Sequence, residues 1–231
     1  MTAEGAGKKE AIDDFGKSYL LAEVFRMRAA SAYAALSDEA FHARPRWAKS
    51  LIEEVFPISA FLGAFSTPGR TVRCRHYSGS QPFDARIKVE GEEVSRGMLR
   101  SQFDVEVTVA EPRYEYLVRE ALREGRGCFD PRAVENRLDA AVIRQEGIPA
   151  TGLDVKEMLA MNRNMVVERV KAKADKGYSP PPILLVVAPL GRRRDLDDWA
   201  LMARAVRDSG AHASFAFVYL VDWAGSTVVP I

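Results

Sequence analysis

The sequence predicts an α/β protein with a mixed central sheet, a three-strand meander plus a crossover strand, flanked by helices. Three observations lead there. The first third of the chain is rich in helix formers. Residues 71–109 carry short runs with apolar and polar residues in alternation. Ile183–Ala188 is a continuous apolar run preceded by a long helical stretch, as a buried parallel strand after a crossover helix would be.

Residues 1–10 read as a loose terminus and residues 11–36 as helix, with no proline to stop it. Ser37-Asp38-Glu39 interrupts this run and supplies a cap for a second helix. Pro45 suits the first turn of a helical piece from Arg46 to Val55, which Pro57 ends or kinks. Ser66-Thr67-Pro68-Gly69 is a turn. Strands are then expected over Thr71–Tyr77, Phe83–Val89 and Phe103–Val109, with acidic Glu90-Gly91-Glu92-Glu93 as a turn between the second and third. Glu111-Pro112 opens a helix that Gly125-Arg126-Gly127 stops, and residues 128–154 read as loop plus a short helix. Val155–Lys176 is a long helix, closed by Gly177 and Pro180-Pro181-Pro182. After the apolar strand, Asp195 caps a helix Leu196–Ser209, Phe215–Val221 is a last strand and Thr227–Ile231 pairs back with it. The division expected is a helical segment, 1–66, packed on an α/β core, 67–231.

Composition narrows the class. The chain has 231 residues, 33 Lys+Arg against 32 Asp+Glu, and 47% hydrophobic residues, which is ordinary for a globular protein. Two cysteines, Cys74 and Cys128, make no disulfide framework, and three scattered histidines make no zinc motif. No apolar run approaches the roughly 18 residues of a membrane span, and the N-terminus lacks a signal peptide's apolar segment. The expectation is a cytoplasmic protein without membrane association. A net charge of +1 gives no bulk signal for nucleic acid.

The chemistry sits on two strands. In Phe83–Val89, Ala85, Ile87 and Val89 share one face while Asp84, Arg86 and Lys88 share the other. In the next strand Phe103, Val105, Val107 and Val109 oppose Asp104, Glu106, Thr108 and Ala110. If these strands are neighbours, Asp84 and Glu106 point the same way, and two convergent carboxylates suit Mg²⁺ or Mn²⁺. The simpler alternative is a solvated strand face.

Pro82-Phe83-Asp84 followed by Asp104-Val105-Glu106-Val107-Thr108 resembles the motif of the PD-(D/E)XK, restriction-endonuclease-like, nuclease superfamily. The order of elements over about residues 39–188 is similar to that family's core. The resemblance implies a restriction-endonuclease-like fold and hydrolysis of a phosphodiester, with Asp84 and Glu106 binding Mg²⁺ (or Mn²⁺) and nucleic acid as partner. Thr108 stands where the family usually has lysine. Some members move that lysine to the following helix, so Lys171, Lys173 or Lys176 is expected to supply the charge; Lys88 is another candidate. An upstream Glu on the first core helix, Glu53 or Glu54, completes the site in some relatives, although an exposed helix carboxylate accounts for either residue. Lys171, Lys176 and Arg192-Arg193-Arg194 are candidate phosphate contacts. Tyr114 and Tyr116, near Arg113 and Arg119, are explained by local helix pairing. Trp199, Trp223, Phe215 and Phe217 are expected in the core or at an interface, making the C-terminal aromatic strands a surface for a homodimer or protein partner. Cys74 and His76 read as structural. The missing strand lysine equally suits a catalytically inactive module of this fold, such as a subunit of a DNA-processing or defence system.

Overall fold

A computed structural model of the chain describes residues 12–111, 155–188, 196–222 and 224–231. Among the described residues, seven strands form one mixed sheet in the spatial order of the sequence. They are β1 (Leu20–Leu21), β2 (Arg70–His76), β3 (Ala85–Gly91), β4 (Gln102–Val109), β5 (Ile183–Ala188), β6 (Phe217–Asp222) and β7 (Val228–Pro230). Strands β2, β3 and β4 are the antiparallel meander, β4–β5 and β5–β6 are parallel, and β7 turns back antiparallel on β6. The helices are α1 (Ala22–Ala34), α2 (Asp38–Ala43), α3 (Arg46–Ser50), α4 (Phe56–Phe65), α5 (Glu92–Ser95), α6 (Val155–Ala174) and α7 (Leu196–Asp208). Among the described residues no helix is long and apolar enough to cross a membrane.

The period of two in the strands sorts side chains into two cores. Ile87, Val105, Leu185 and Val221 pack on one face against Phe25, Phe61 and Leu62 of the N-terminal helices. Leu184, Val186, Val218 and Leu220 pack on the other against Val166 and Val170 of α6 and Trp199, Met202 and Val206 of α7. Strand β5 is buried at all six positions, as its unbroken apolar run requires. Trp199 and Phe215 lie in the second core. Phe217 packs against Phe65, Phe103 and Tyr219 within the chain, with ring centroids 5.8–6.5 Å apart.

The structure changes three local expectations, for Pro57 by removing one of its two alternatives. Residues 11–36 are not one helix: residues 12–17 are helical, the chain bends at Ser18, and Leu20–Leu21 pair antiparallel with Cys74 and Arg73 of β2. The Arg75 guanidinium donates to the Gly16 carbonyl at 2.7 Å and ties the bend to the sheet edge. Pro57 does not end its helix. Between α3 and α4 the residues Leu51–Val55 form a π-helical turn, with the Phe56 N–H reaching back to the Leu51 carbonyl. Proline has no N–H and its ring crowds the carbonyl four residues back, so the wider turn lets the helix run on. The acidic turn before β4 contains a short helix, α5, whose Glu93 pairs with Arg70.

Other local signals agree. The Ser37 hydroxyl caps α2 by accepting the Ala40 N–H at 3.3 Å. Gly177, at φ +63°, follows α6 in the left-handed conformation expected of a stop. Gly91 has a stricter role. Its φ is +141°, and a Cβ there would meet the Gly69 carbonyl oxygen at 2.3 Å. The Glu111–Glu124 helix, residues 128–154, Asp195, Trp223 and Cys128 fall wholly or largely outside the described residues.

Two substitutions test this packing by denaturant unfolding. Phe61→Ala, at a fully buried position between α4 and the sheet, is expected to cost about 3–5 kcal/mol. Gly91→Ala is expected to cost at least about 1 kcal/mol, and a loss below about 0.3 kcal/mol would contradict the close approach to Gly69.

Candidate functional site

The register places the acids. Ala85 pairs with Val105 and Arg86 with Asp104, so one step outward sets Asp84 opposite Glu106. Directly opposed residues of an antiparallel pair share a face. Asp84 precedes β3 but its backbone is already in the ladder: its N–H donates to the Val105 carbonyl at 2.9 Å, and its carbonyl accepts the Tyr77 N–H at 2.8 Å. Its side chain turns along the sheet and Oδ2 accepts the Val107 N–H at 2.7 Å.

Glu106 lies in the middle of β4 and is only 4% exposed. An ionised carboxylate at that depth needs compensation. It comes from α6, whose inward stripe runs Leu159, Asn162, Val166, Val170 and then Lys173. Helical spacing therefore delivers an ammonium where the stripe would otherwise carry another apolar residue. Lys173 Nζ donates to Glu106 Oε1, and Lys176, just past the helix end, reaches the same oxygen at 3.3 Å. For Lys176, burial works against the charged form, yet the Glu106 charge wins and its pKa is raised. Tyr178, beside this pair, is pushed up to about 12 by burial and by Glu106.

A third carboxylate arrives from the N-terminal layer. Glu54, on the π turn, accepts the Ser50 hydroxyl at 2.8 Å and meets His76 Nε2 at 2.8 Å. His76 is 1% exposed and has a partner that the sequence does not reveal. Burial tends to raise the pKa of Glu54, but the hydrogen bond and charge of His76, with Ser50, lower it overall. Glu53 goes elsewhere: Arg44, in the left-handed conformation at φ +43°, binds Glu53 at 2.7 Å and Glu111 at 3.0 Å. The reading of both acids as exposed helix carboxylates is therefore corrected. Glu53 is pinned by Arg44, and Glu54 lines the same hollows as Asp84 and acts on it by charge.

Asp84 registers this crowding. Its pKa is pushed up to about 6, first by burial and then by the negative charges of Glu106 and Glu54, against the Val107 N–H and Lys173, which oppose the rise. Thr108 lies on the Glu106 face, 8% exposed, and lines a hollow of about 460 Å³ with Asp84, Glu54 and Arg169.

Among the sequence-derived candidates, Asp84, Glu106, Thr108, Lys173 and Lys176 are thus gathered at one end of the sheet. Lys171 is apart from them, exposed and paired with Glu168 at 3.0 Å. Lys88 is also apart, its ammonium 4.4 Å from the Tyr19 ring centroid. Arg86 and Asp104 neutralise each other at 2.6 Å. Arg192, Arg193 and Arg194, like Arg113, Tyr114, Tyr116 and Arg119, lie outside the described residues. Among the described residues no group of three His, Cys, Asp or Glu side chains is arranged to hold a metal ion. Two carboxylates with a lysine beside them remain. Two carboxylates could hold a divalent cation only together with waters and phosphate oxygens, the way Mg²⁺ is commonly bound. No protein-family model, curated protein or solved structure matches the chain.

Two stability measurements probe these charges. Asp84 holds its proton more tightly when folded, with a pKa of about 6 against the ordinary 3.8. The native state then binds more protons between those values, so this residue's contribution falls as pH rises from about 4 to about 6 and is flat above. Asp84→Asn keeps an acceptor for Val107 and removes the repulsion. It is expected to stabilise the fold by about 1–2 kcal/mol above pH 7, with the gain vanishing near pH 4. Lys173→Met is expected to cost about 1–3 kcal/mol at pH 7, because it strips one of two partners from a buried carboxylate.

Proposed function

We propose that the chain is a metal-dependent nuclease that hydrolyses phosphodiesters, with Asp84 and Glu106 holding Mg²⁺ or Mn²⁺ and Lys173 supplying the positive charge that Thr108 lacks. The observation that carries this reading is the meeting, at one end of the sheet, of a directly opposed Asp84–Glu106 pair with an ammonium from α6. It is also the arrangement that the resemblance to the PD-(D/E)XK superfamily implies for a member with its lysine moved to the helix.

The division of labour follows from the side chains. Asp84 is anchored through one oxygen by the Val107 N–H, which leaves the other for a ligand. Glu106 is held through Oε1 by two lysines, and Oε2 is the oxygen this reading assigns to the cation. A divalent cation between them would polarise the scissile phosphate and lower the pKa of the attacking water. Lys173 holds its ammonium beside the same carboxylate, where it offsets charge developing on the phosphate oxygens. Glu54 adds negative potential that favours the cation and is itself oriented by His76. Water oxygen bonds to phosphorus and gives up a proton to solvent, the bond from phosphorus to the leaving sugar oxygen breaks, and that oxygen takes up a proton from solvent.

One observation favours the inactive module instead. Both lysines already sit on Glu106, so an internal ion pair satisfies the acid without a cation. Calorimetric titration with Mn²⁺ separates the two readings: heat of binding that Asp84→Ala and Glu106→Ala each abolish supports the nuclease, and absence of binding supports the module.

The direct test is cleavage of plasmid and oligonucleotide DNA with Mg²⁺. Asp84→Ala and Glu106→Ala are expected to abolish cleavage, and Lys173→Ala to reduce it at least about 100-fold. Lys171→Ala should stay within about twofold of the wild type. Wild-type cleavage by either acid variant overturns the assignment.

A further inference from the structure

Two hollows meet at Asp84 and Glu54. The one lined by Thr108 and Arg169 is about 460 Å³. A second, of about 710 Å³, extends the other way along Arg46, Trp47 and Tyr77. Both share Lys49, Glu54 and Asp84, so Asp84 lies at their junction. Each falls in the range of about 300–1,000 Å³ that encloses a drug-sized molecule, a size class that includes one nucleotide.

Their linings differ in kind. The larger hollow offers aromatic surface from half-buried Trp47 and Tyr77. The Tyr77 ring is held by an edge-to-face contact with Phe83 at 5.3 Å and by the Arg75 guanidinium 4.9 Å from its centroid. At the mouth, Arg46 and Lys49 are exposed, with Lys49 only loosely engaged by Glu53 at 3.9 Å. Asp13 is also part of the wall. Aromatic faces beside cations are what unpaired bases and their phosphates require: bases stack on rings and phosphates meet the charges. In a duplex the base faces are covered by their neighbours, and only the backbone and groove edges are presented.

We infer that this pair of hollows is a groove for a single nucleic-acid strand, with one unpaired nucleotide lodged against Trp47 and Tyr77 and the next phosphate carried over Asp84. The inference rests on the nuclease reading and narrows it: the substrate is single-stranded, or is a strand end or flap, rather than continuous duplex. Arg46 and Lys49 hold the strand at the mouth, and Arg169 receives it beyond Thr108.

The test is fluorescence anisotropy with the full chain in EDTA, so that neither metal nor cleavage enters the readout. The probes are a fluorescein-labelled dT oligomer of about 20 nucleotides and a blunt duplex of equal length. The single strand is expected to bind at least about tenfold more tightly. Trp47→Ala should weaken single-strand binding about 5- to 50-fold and leave duplex binding unchanged. Trp47 also touches the first core, so Trp47→Phe, which keeps a ring, and the exposed pair Arg46→Ala/Lys49→Ala accompany it. The phenylalanine variant should retain most of the affinity, and the double variant should reduce both affinity and its salt slope. Equal affinity for duplex, no binding of the single strand, or wild-type single-strand binding by a folded Trp47→Ala protein overturns the groove. Mg²⁺-dependent cleavage with duplex preference overturns the groove and leaves the nuclease reading standing. Single-strand binding of the expected pattern, with no cleavage under any metal, retires the nuclease and keeps the strand-binding site.

Discussion

The constraint around which the site is organised is the burial of Glu106 on the central strand β4. A carboxylate 4% exposed on a central strand cannot stand alone. It fixes what must lie above it, and α6 meets the demand by presenting Lys173 at the end of an apolar stripe and Lys176 just beyond. Helix α6 is therefore docked on the sheet by apolar packing through Val166 and Val170 and by charge at its end. Breaking such a pair leaves an uncompensated ion, whereas the intact pair adds little net stability. The arrangement is better explained as holding charge in place than as strengthening the fold.

The neighbouring acids extend the same logic. Glu54 comes from the N-terminal layer and Glu106 faces the C-terminal one, yet both act on Asp84. Each has its own counter-group, His76 for Glu54 and the two lysines for Glu106. For Asp84 the Val107 N–H and the charge of Lys173 fall short of burial and repulsion combined, and its pKa rises. Perturbed acids of this kind cluster at functional sites, where negative potential is kept ready for a positive ligand.

Much of the fold is legible in the sequence because its signals are local and periodic. Alternation in Thr71–Tyr77 and Phe103–Val109 and the apolar run Ile183–Ala188 each state how many faces are buried. The meander, the crossover and the final pairing of β7 follow from their order. The carboxylate pair is legible for the same reason, since the period of two fixes faces and a short connection makes neighbours. Less legible are features set by contacts distant in sequence. The two-residue strand β1 exists because Cys74 and Arg73 offer a free edge. The π turn is invisible in composition, since Leu51–Val55 also fits an ordinary helix. The Glu54–His76 bond spans 22 residues, and no spacing rule links a helix acid to the last residue of a strand. Only its alternation with Val72 and Cys74 marks His76 as inward-facing.

The π turn has a consequence for the two acids it carries. In a regular helix, consecutive residues differ by about 100° in direction, and Glu53 and Glu54 would keep that relation to everything upstream. One extra residue in the turn changes the phase between α3 and α4. The Trp47-bearing segment and the Phe61-bearing segment then hold different azimuths on one continuous rod. The insertion acts as a coupling with a fixed angular offset: the downstream half stays keyed to the sheet, while the upstream half is free to be indexed to the groove. Adjacent acids are thereby split between two circuits, one ending at Arg44 and the other at His76.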